Sequence, residues 1–170
     1  MPHPDSVSCP SDPPGIELAP PEVLLVRRGR LSATVPEDWL SGLAWRPRIS
    51  YSLDHALDLL KQHPPSVVLV DQTPSNHCSP DLLGWLESVC ALLPVIMVHA
   101  DMDPDQEACL RGIGVFQLAN RQDLSAQTLS RLLEEALAWG LQTGRWRQPT
   151  PWSLMVMEWD MAGRLTGISG

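Results

Sequence analysis

Short apolar runs recur through the middle of the chain, and most of them show no alternation with polar residues. A strand of this kind is covered on both faces, as in a parallel sheet that has helices on either side. Five strands are predicted, at 22–26, 48–51, 66–71, 94–99 and 114–118. The third of them ends abruptly in a carboxylate, Asp71, at the edge of the sheet where α/β proteins bind their ligands.

Stretches with apolar residues at helical spacing follow these strands. Each begins with a residue whose side chain can cap the first turn. The predicted caps are Thr34, Ser52, Ser79 and Asp103, and the last helix is expected to begin near Ser125. The first helix is expected to end before Pro47, the fourth at Gly112 and the last near Gly140. Five alternations of strand and helix predict one α/β domain with right-handed crossovers.

The two ends of the chain depart from this pattern. Residues 1–21 contain seven prolines and cannot bury enough apolar area to order themselves, so a disordered tail is predicted. Residues 141–151 form a predicted linker, whose Trp146 is, with Trp139, a candidate for binding a partner. Residues 152–170 predict two strands joined by a hairpin turn. A lone hairpin is marginal in water, so it either docks on the domain or begins another one.

The composition narrows the class of protein. Hydrophobic residues make up 44% of the chain and the formal net charge is -8, which disfavours nucleic-acid binding as the main activity. The sequence has neither a basic leader with an apolar core nor an apolar run of about 18 residues, so a soluble cytoplasmic protein is expected.

The sequence contains only incomplete matches to metal-binding motifs. The four cysteines lack the paired spacing of a zinc knuckle, although His77, Cys78 and His99 leave a zinc site open as an alternative. The acids of 101–107 resemble the start of a calcium loop, but Gln106 and Gly112 stand where such a loop needs Gly and Glu. We interpret these acids as a capping box at a helix start and predict no metal and no cofactor.

Three segments together carry a resemblance to a known family. They read SLDHALDLL at 52–60, PPSVVLVD at 64–71 and LPVIMV at 93–98. In this order and spacing they resemble the receiver domain of bacterial two-component response regulators, over residues 22–140. The resemblance implies a flavodoxin-like, doubly wound, five-stranded parallel sheet of order 2-1-3-4-5 with helices on both faces. The predicted β-hairpin at the C-terminus would follow it.

The resemblance also implies a phosphoryl-accepting pocket, and Asp71 matches the acceptor. The acid pair that holds Mg²⁺ in the family falls on Arg27 and Arg28. Phosphoryl transfer relies on positioning and on charge neutralisation, and a hard cation needs carboxylate oxygens that these two residues do not supply. We therefore expect one of the arginines to pair with Asp71 in the metal's place.

The other pocket positions of the family are also changed in this chain. The hydroxyl residue at the end of the fourth strand corresponds to His99. The lysine after the fifth strand corresponds to Ala119, or to Asn120 after a one-residue shift, and neither carries a charge. The aromatic switch position of the fifth strand is kept as Phe116. The pocket is thus predicted to be degenerate, of pseudoreceiver type.

We interpret the chain as a non-enzymatic, receiver-like module of a bacterial two-component-type regulator that acts through protein contacts, independently of phosphorylation. The resemblance implies a partner or a second copy bound through the fourth helix, fifth strand and last helix, with 116–140 as the first place to look. The hairpin at 152–170 resembles the opening strands of a PAS-type sensor domain. Two alternatives stay open: a regulator that is phosphorylated on Asp71, and a flavodoxin-like domain that binds a small ligand in the same crevice.

Overall fold

The computed structural model describes residues 19–27, 35–72 and 78–144, together with the backbone of two strands at 156–159 and 165–169. Five strands build the main sheet: β1 Glu22–Arg27, β2 Arg46–Ser50, β3 Val67–Gln72, β4 Val95–His99 and β5 Gln117–Asn120. The helices are α1 Glu37–Ser41, α2 Leu53–Gln62, α3 Pro80–Cys90, α4 Pro104–Ile113 and α5 Ala126–Gln142. A short 3₁₀ turn, Arg121–Asp123, precedes α5.

The order of strands across the sheet is β2-β1-β3-β4-β5, and all neighbouring pairs are parallel. This confirms the predicted flavodoxin-like, doubly wound topology. The register places Arg27 beside Asp71, Asp71 beside Val98, and Val98 beside Ala119. These four residues form one row across the carboxyl ends of the strands, which is where open α/β sheets place their ligand crevice.

Both faces of the sheet are covered by helices. The face that carries Val68 and Met97 packs on α2, α3 and α4. The opposite face, which carries Leu69 and Ile96, packs on α1 and α5. All six residues of the central strand β3 are buried, which is the reason that its sequence shows no polar alternation.

The helix starts follow the predicted caps. The side chains of four capping residues accept a hydrogen bond from the backbone N–H three residues later, as expected at helix N-termini. These residues are Ser52, Ser79, Asp103 and Ser125. Thr34, the predicted cap of the first helix, lies outside the described residues. Pro36 is the residue before α1, and no side-chain hydrogen bond caps that helix.

The junction between the fourth helix and the fifth strand was predicted wrongly, and β2 begins at Arg46, two residues earlier than predicted. The fourth helix ends at Ile113 and is closed by Gly114 instead of Gly112, because Gly114 adopts the left-handed conformation, with φ 99°, that closes a helix. The fifth strand consequently begins three residues later than predicted, at Gln117. Phe116 therefore lies just before β5, and Ala119 lies within the strand instead of after it. The backbone N–H of Phe116 still donates a hydrogen bond to the carbonyl of Val95 in β4, at 2.9 Å.

The strands β6 Val156–Trp159 and β7 Leu165–Ser169 pair antiparallel in a separate two-stranded sheet, as the hairpin prediction requires. The predicted tail falls outside the described residues over 1–18, and the predicted linker does so over 145–151. The last helix continues two residues past Gly140, to Gln142. Within the described residues, every helix is too short or too polar to cross a membrane.

Candidate functional site

Asp71 lies near the end of β3, with Gln72 following it in the strand. Its side chain has no exposure to solvent. The backbone N–H of Val35, from the segment that leads into α1, donates a hydrogen bond to Asp71 Oδ2 at 3.3 Å. A buried carboxylate needs donors of this kind because burial removes its water. Asp71 is therefore covered by its own chain.

Arg27 ends β1 beside Asp71 and is 6% exposed. Its guanidinium donates to Glu37 Oε1 at 2.8 Å, and it donates a second hydrogen bond to the backbone carbonyl of Val35. The ion pair of this arginine is thus made with Glu37, on the first turn of α1. The expected pairing of an arginine with Asp71 stays a prediction, since Arg28 lies outside the described residues.

The charge at this end of the sheet is unsuited to a divalent cation. Mg²⁺ prefers carboxylate oxygens in octahedral geometry, whereas the residue beside Asp71 on β1 is a buried guanidinium. In the described part of the chain, no cluster of three or more His, Cys, Asp or Glu side chains could hold a metal. Of the alternative zinc residues, His77 lies outside the described ranges. The Cys78 thiol lies 3.9 Å from Gln72 Oε1.

His99 ends β4 beside Gln72. Its Nδ1 atom is buried and has no hydrogen-bond partner among the described residues. Burial lowers the pKa of His99 below 6.5, and the negative charges of Glu107 and Asp101 oppose this shift only in part. The imidazole is therefore neutral near pH 7 and adds no positive charge to this end of the sheet.

The two residues of β5 that the sequence analysis matched to a lysine, Ala119 and Asn120, carry no charge. Ala119 is buried in the row that also contains Asp71. The Oδ1 atom of Asn120 accepts a hydrogen bond from the backbone N–H of Gln122, at 2.9 Å, and so starts the 3₁₀ turn before α5. Phe116 packs on Trp139 of α5, with ring centroids 5.4 Å apart. The two rings thus form a half-buried pair between α5 and the residue that precedes β5.

Two residues of this site were missed by sequence reasoning, Val35 and Glu37. Glu37 is an acid in the first turn of a helix, where it also interacts favourably with the helix dipole, so its residue type does not by itself indicate a pocket. Val35 contributes only backbone groups to the site, so its identity carries no chemical signal. In contrast, the acids near the start of α4 behave as predicted, because Asp103 caps the helix and Glu107 pairs with Arg111 at 2.7 Å.

Comparisons with known proteins support the fold and go no further. No family model matches the chain, and no curated protein matches its sequence. Many solved structures resemble it. The signal receiver domain of a modulated diguanylate cyclase from Desulfovibrio desulfuricans G20 is 22% identical, with a TM-score of 0.58, and the match covers 72% of this chain and 98% of that one.

Two further receiver domains show the same degree of likeness. A CheY-like response regulator receiver domain protein from Methanospirillum hungatei JF-1 is 15% identical with a TM-score of 0.60, over 73% of this chain and 98% of that one. The receiver domain of the Francisella response regulator 1452 is 16% identical with a TM-score of 0.57, over 70% of this chain and 98% of that one. This chain therefore has the fold of receiver domains.

Proposed function

We propose that this chain is a non-catalytic, receiver-like signalling module of a bacterial two-component-type regulator, and that it acts through protein contacts without accepting a phosphoryl group. The module spans residues 22–140, and the hairpin at 152–170 belongs to a separate unit. The fold is that of receiver domains, whereas the residues at its carboxyl edge depart from the pattern that phosphoryl transfer needs.

The observation that carries the proposal is the position of Arg27. It stands on β1 directly beside Asp71, where the receiver family has acids that bind Mg²⁺, and it is buried. Transfer of a phosphoryl group to a carboxylate brings two negative groups together, and the metal normally offsets that charge. A fixed guanidinium supplies one positive charge but repels the metal, and it is already engaged by Glu37. His99 and Ala119 add no charge that could compensate.

We expect no phosphorylation of the native chain by a small phosphodonor. Incubation with acetyl phosphate and Mg²⁺, followed by intact mass spectrometry, should leave the mass unchanged. An active receiver domain treated in parallel shows that the donor and the metal are competent. The Asp71→Ala variant identifies the site if any mass is gained. A gain of one phosphoryl group that is lost in Asp71→Ala would establish the alternative, a regulator phosphorylated on Asp71.

The protein contacts are assigned to the face formed by α4, β5 and α5. Its aromatic centre is the contact between Phe116 and Trp139, both of which are half-buried. On α5, Arg131 and Glu135 precede Trp139 at intervals of four residues and lie on the same stripe of the helix. They form an exposed ion pair at 3.7 Å. A stripe of one aromatic and two opposite charges suits a second copy of the same surface.

A charge reversal on this stripe should weaken self-association. Glu135→Lys turns the Arg131–Glu135 pair into two cations one turn apart, which repel the same stripe on a facing copy. We therefore expect the dissociation constant of the dimer to rise by about tenfold. Analytical ultracentrifugation over a range of concentrations measures it. Glu134→Lys makes the same charge change at the adjacent exposed position, which points away from the stripe. A monomer at every concentration, or equal effects of the two variants, would contradict the assigned face.

A further inference from the structure

We infer that residues 35–37 act as a plug over Asp71, and that the ion pair of Arg27 with Glu37 is the latch that holds the plug in place. The inference rests on the proposed function, because it concerns the same pocket and explains how the carboxylate is kept from solvent and from reactants. Opening the latch would return Asp71 to solvent. The burial of Asp71 would then be reversible and would depend on whether this ion pair is formed.

The plug is fixed at its buried end by Val35. This residue has no solvent exposure and belongs to the hydrophobic cluster that also contains Leu40 of α1 and Leu69 of β3. Its backbone N–H donates to Asp71 Oδ2 at 3.3 Å. The Val35 amide therefore lies against Asp71 Oδ2, and a reactant cannot reach that oxygen from this side while the amide stays there.

A single guanidinium holds both ends of the plug. Arg27 donates to the Val35 carbonyl at one end and to Glu37 Oε1 at the other. The planar fork of an arginine can satisfy two such acceptors at once, which a lysine cannot do with fixed geometry. The ion pair and the hydrogen bond to Asp71 are therefore coupled, because movement of Glu37 away from Arg27 releases the segment that covers Asp71.

The latch has one buried partner and one accessible partner. The Arg27 side chain is 7% exposed, whereas the Glu37 side chain is 53% exposed. A basic group on another protein can therefore reach Glu37 and compete with Arg27 for it, as can a high concentration of salt. The accessible acid is the point at which a cationic partner surface would open the pocket.

Carboxylate labelling tests the plug in the full chain. A water-soluble carbodiimide with a small amine converts accessible carboxylates to amides, and fragment-ion mass spectrometry follows each site over time. In the native chain, Asp71 should react at least about tenfold more slowly than the exposed Asp54, because its oxygens are buried and hydrogen-bonded. In Glu37→Ala the rate at Asp71 should rise by about threefold, the effect of losing an ion pair whose acid is half exposed and screened by water.

The neighbouring acid provides a matched control. Asp38 carries the same charge in the same first turn of α1 and is also exposed. Asp38→Ala should leave the labelling of Asp71 unchanged, while Glu37→Gln should give an intermediate rate because its amide still accepts a hydrogen bond. Fast labelling of Asp71 in the native chain, or the same rate in Glu37→Ala and Asp38→Ala, would overturn the plug.

The outcomes separate this inference from the proposed function. Slow labelling that Glu37→Ala relieves supports the plug even if the native chain gains a phosphoryl group from acetyl phosphate, a result that would overturn the proposed function alone. An Asp71 labelling rate that is the same in the native chain and in Glu37→Ala overturns the plug. An unchanged mass after acetyl phosphate would still support the proposed function. Hydrogen exchange at the Val35 amide gives a second readout, which should quicken in Glu37→Ala by the same factor as the labelling.

Discussion

Truncation of Leu69 to alanine is expected to lower the free energy of unfolding by about 3 kcal/mol. Leu69 lies in the central strand β3, has no solvent exposure, and belongs to the cluster between the sheet, α1 and α5. The variant loses the burial of a large side chain and leaves a cavity in a strand whose neighbours on both sides are fixed by the ladder. Denaturant unfolding should therefore show a lower midpoint with an unchanged slope.

A second leucine controls for the chemistry of this substitution. Leu141, near the end of α5, is 51% exposed, so Leu141→Ala should change the free energy of unfolding by less than about 0.5 kcal/mol. The comparison isolates burial, because both variants remove the same atoms. A loss of similar size in the two variants would show that the sheet face covered by α1 and α5 is not packed as described.

Replacement of Arg27 by alanine is expected to cost about 2 kcal/mol. The largest part of this cost comes from the Val35 carbonyl, which loses the donor that Arg27 provides. The ion pair itself contributes less, because the Glu37 side chain is 53% exposed and its charge is screened by water. Arg27→Lys should give an intermediate loss, since an ammonium keeps the charge without the fork that reaches both acceptors. Equilibrium unfolding of the three proteins measures the series.

An exposed arginine provides the reference for this series. Arg111 pairs with Glu107 on the surface of α4 at 2.7 Å, with exposed fractions of 58% and 46% for the two side chains. Arg111→Ala should cost only about 0.3 kcal/mol, as surface pairs spaced four residues apart on a helix do. If Arg27→Ala costs no more than Arg111→Ala, the hydrogen bonds of Arg27 do not hold the segment before α1.

The strands and most helix starts could be predicted because their signals are local. A run such as 67–70 is apolar at every position since both faces of β3 are covered, and Ser79 precedes Pro80 in a pattern that itself starts a helix. The alternation of these elements then leaves few topologies, and the observed order of strands is the expected one.

The prediction failed where two local signals competed. Gly112 and Gly114 are both suited to end a helix, and the sequence does not tell which of them adopts a positive φ. The hydrogen bonds that close α4 select Gly114, whose N–H donates to the Leu110 and Arg111 carbonyls. The error moved the start of β5 by three residues, and within the strand Ala119 and Asn120 lie opposite Val98 and His99 of β4.

The sequence by itself determined the strands of the sheet and the place of Asp71 at its carboxyl edge, because periodicity, caps and turns depend on residues close together in the chain. The order of the strands was what the family resemblance implied. The tertiary structure alone decided which groups surround that carboxylate. Val35 is 36 residues away from Asp71, and Glu37 is ten residues away from Arg27. The partner of a polar side chain is the group that folding brings within about 3 Å of it. That distance is a property of the folded chain, so the two arginines could be identified from the sequence but the acid bound by Arg27 could not.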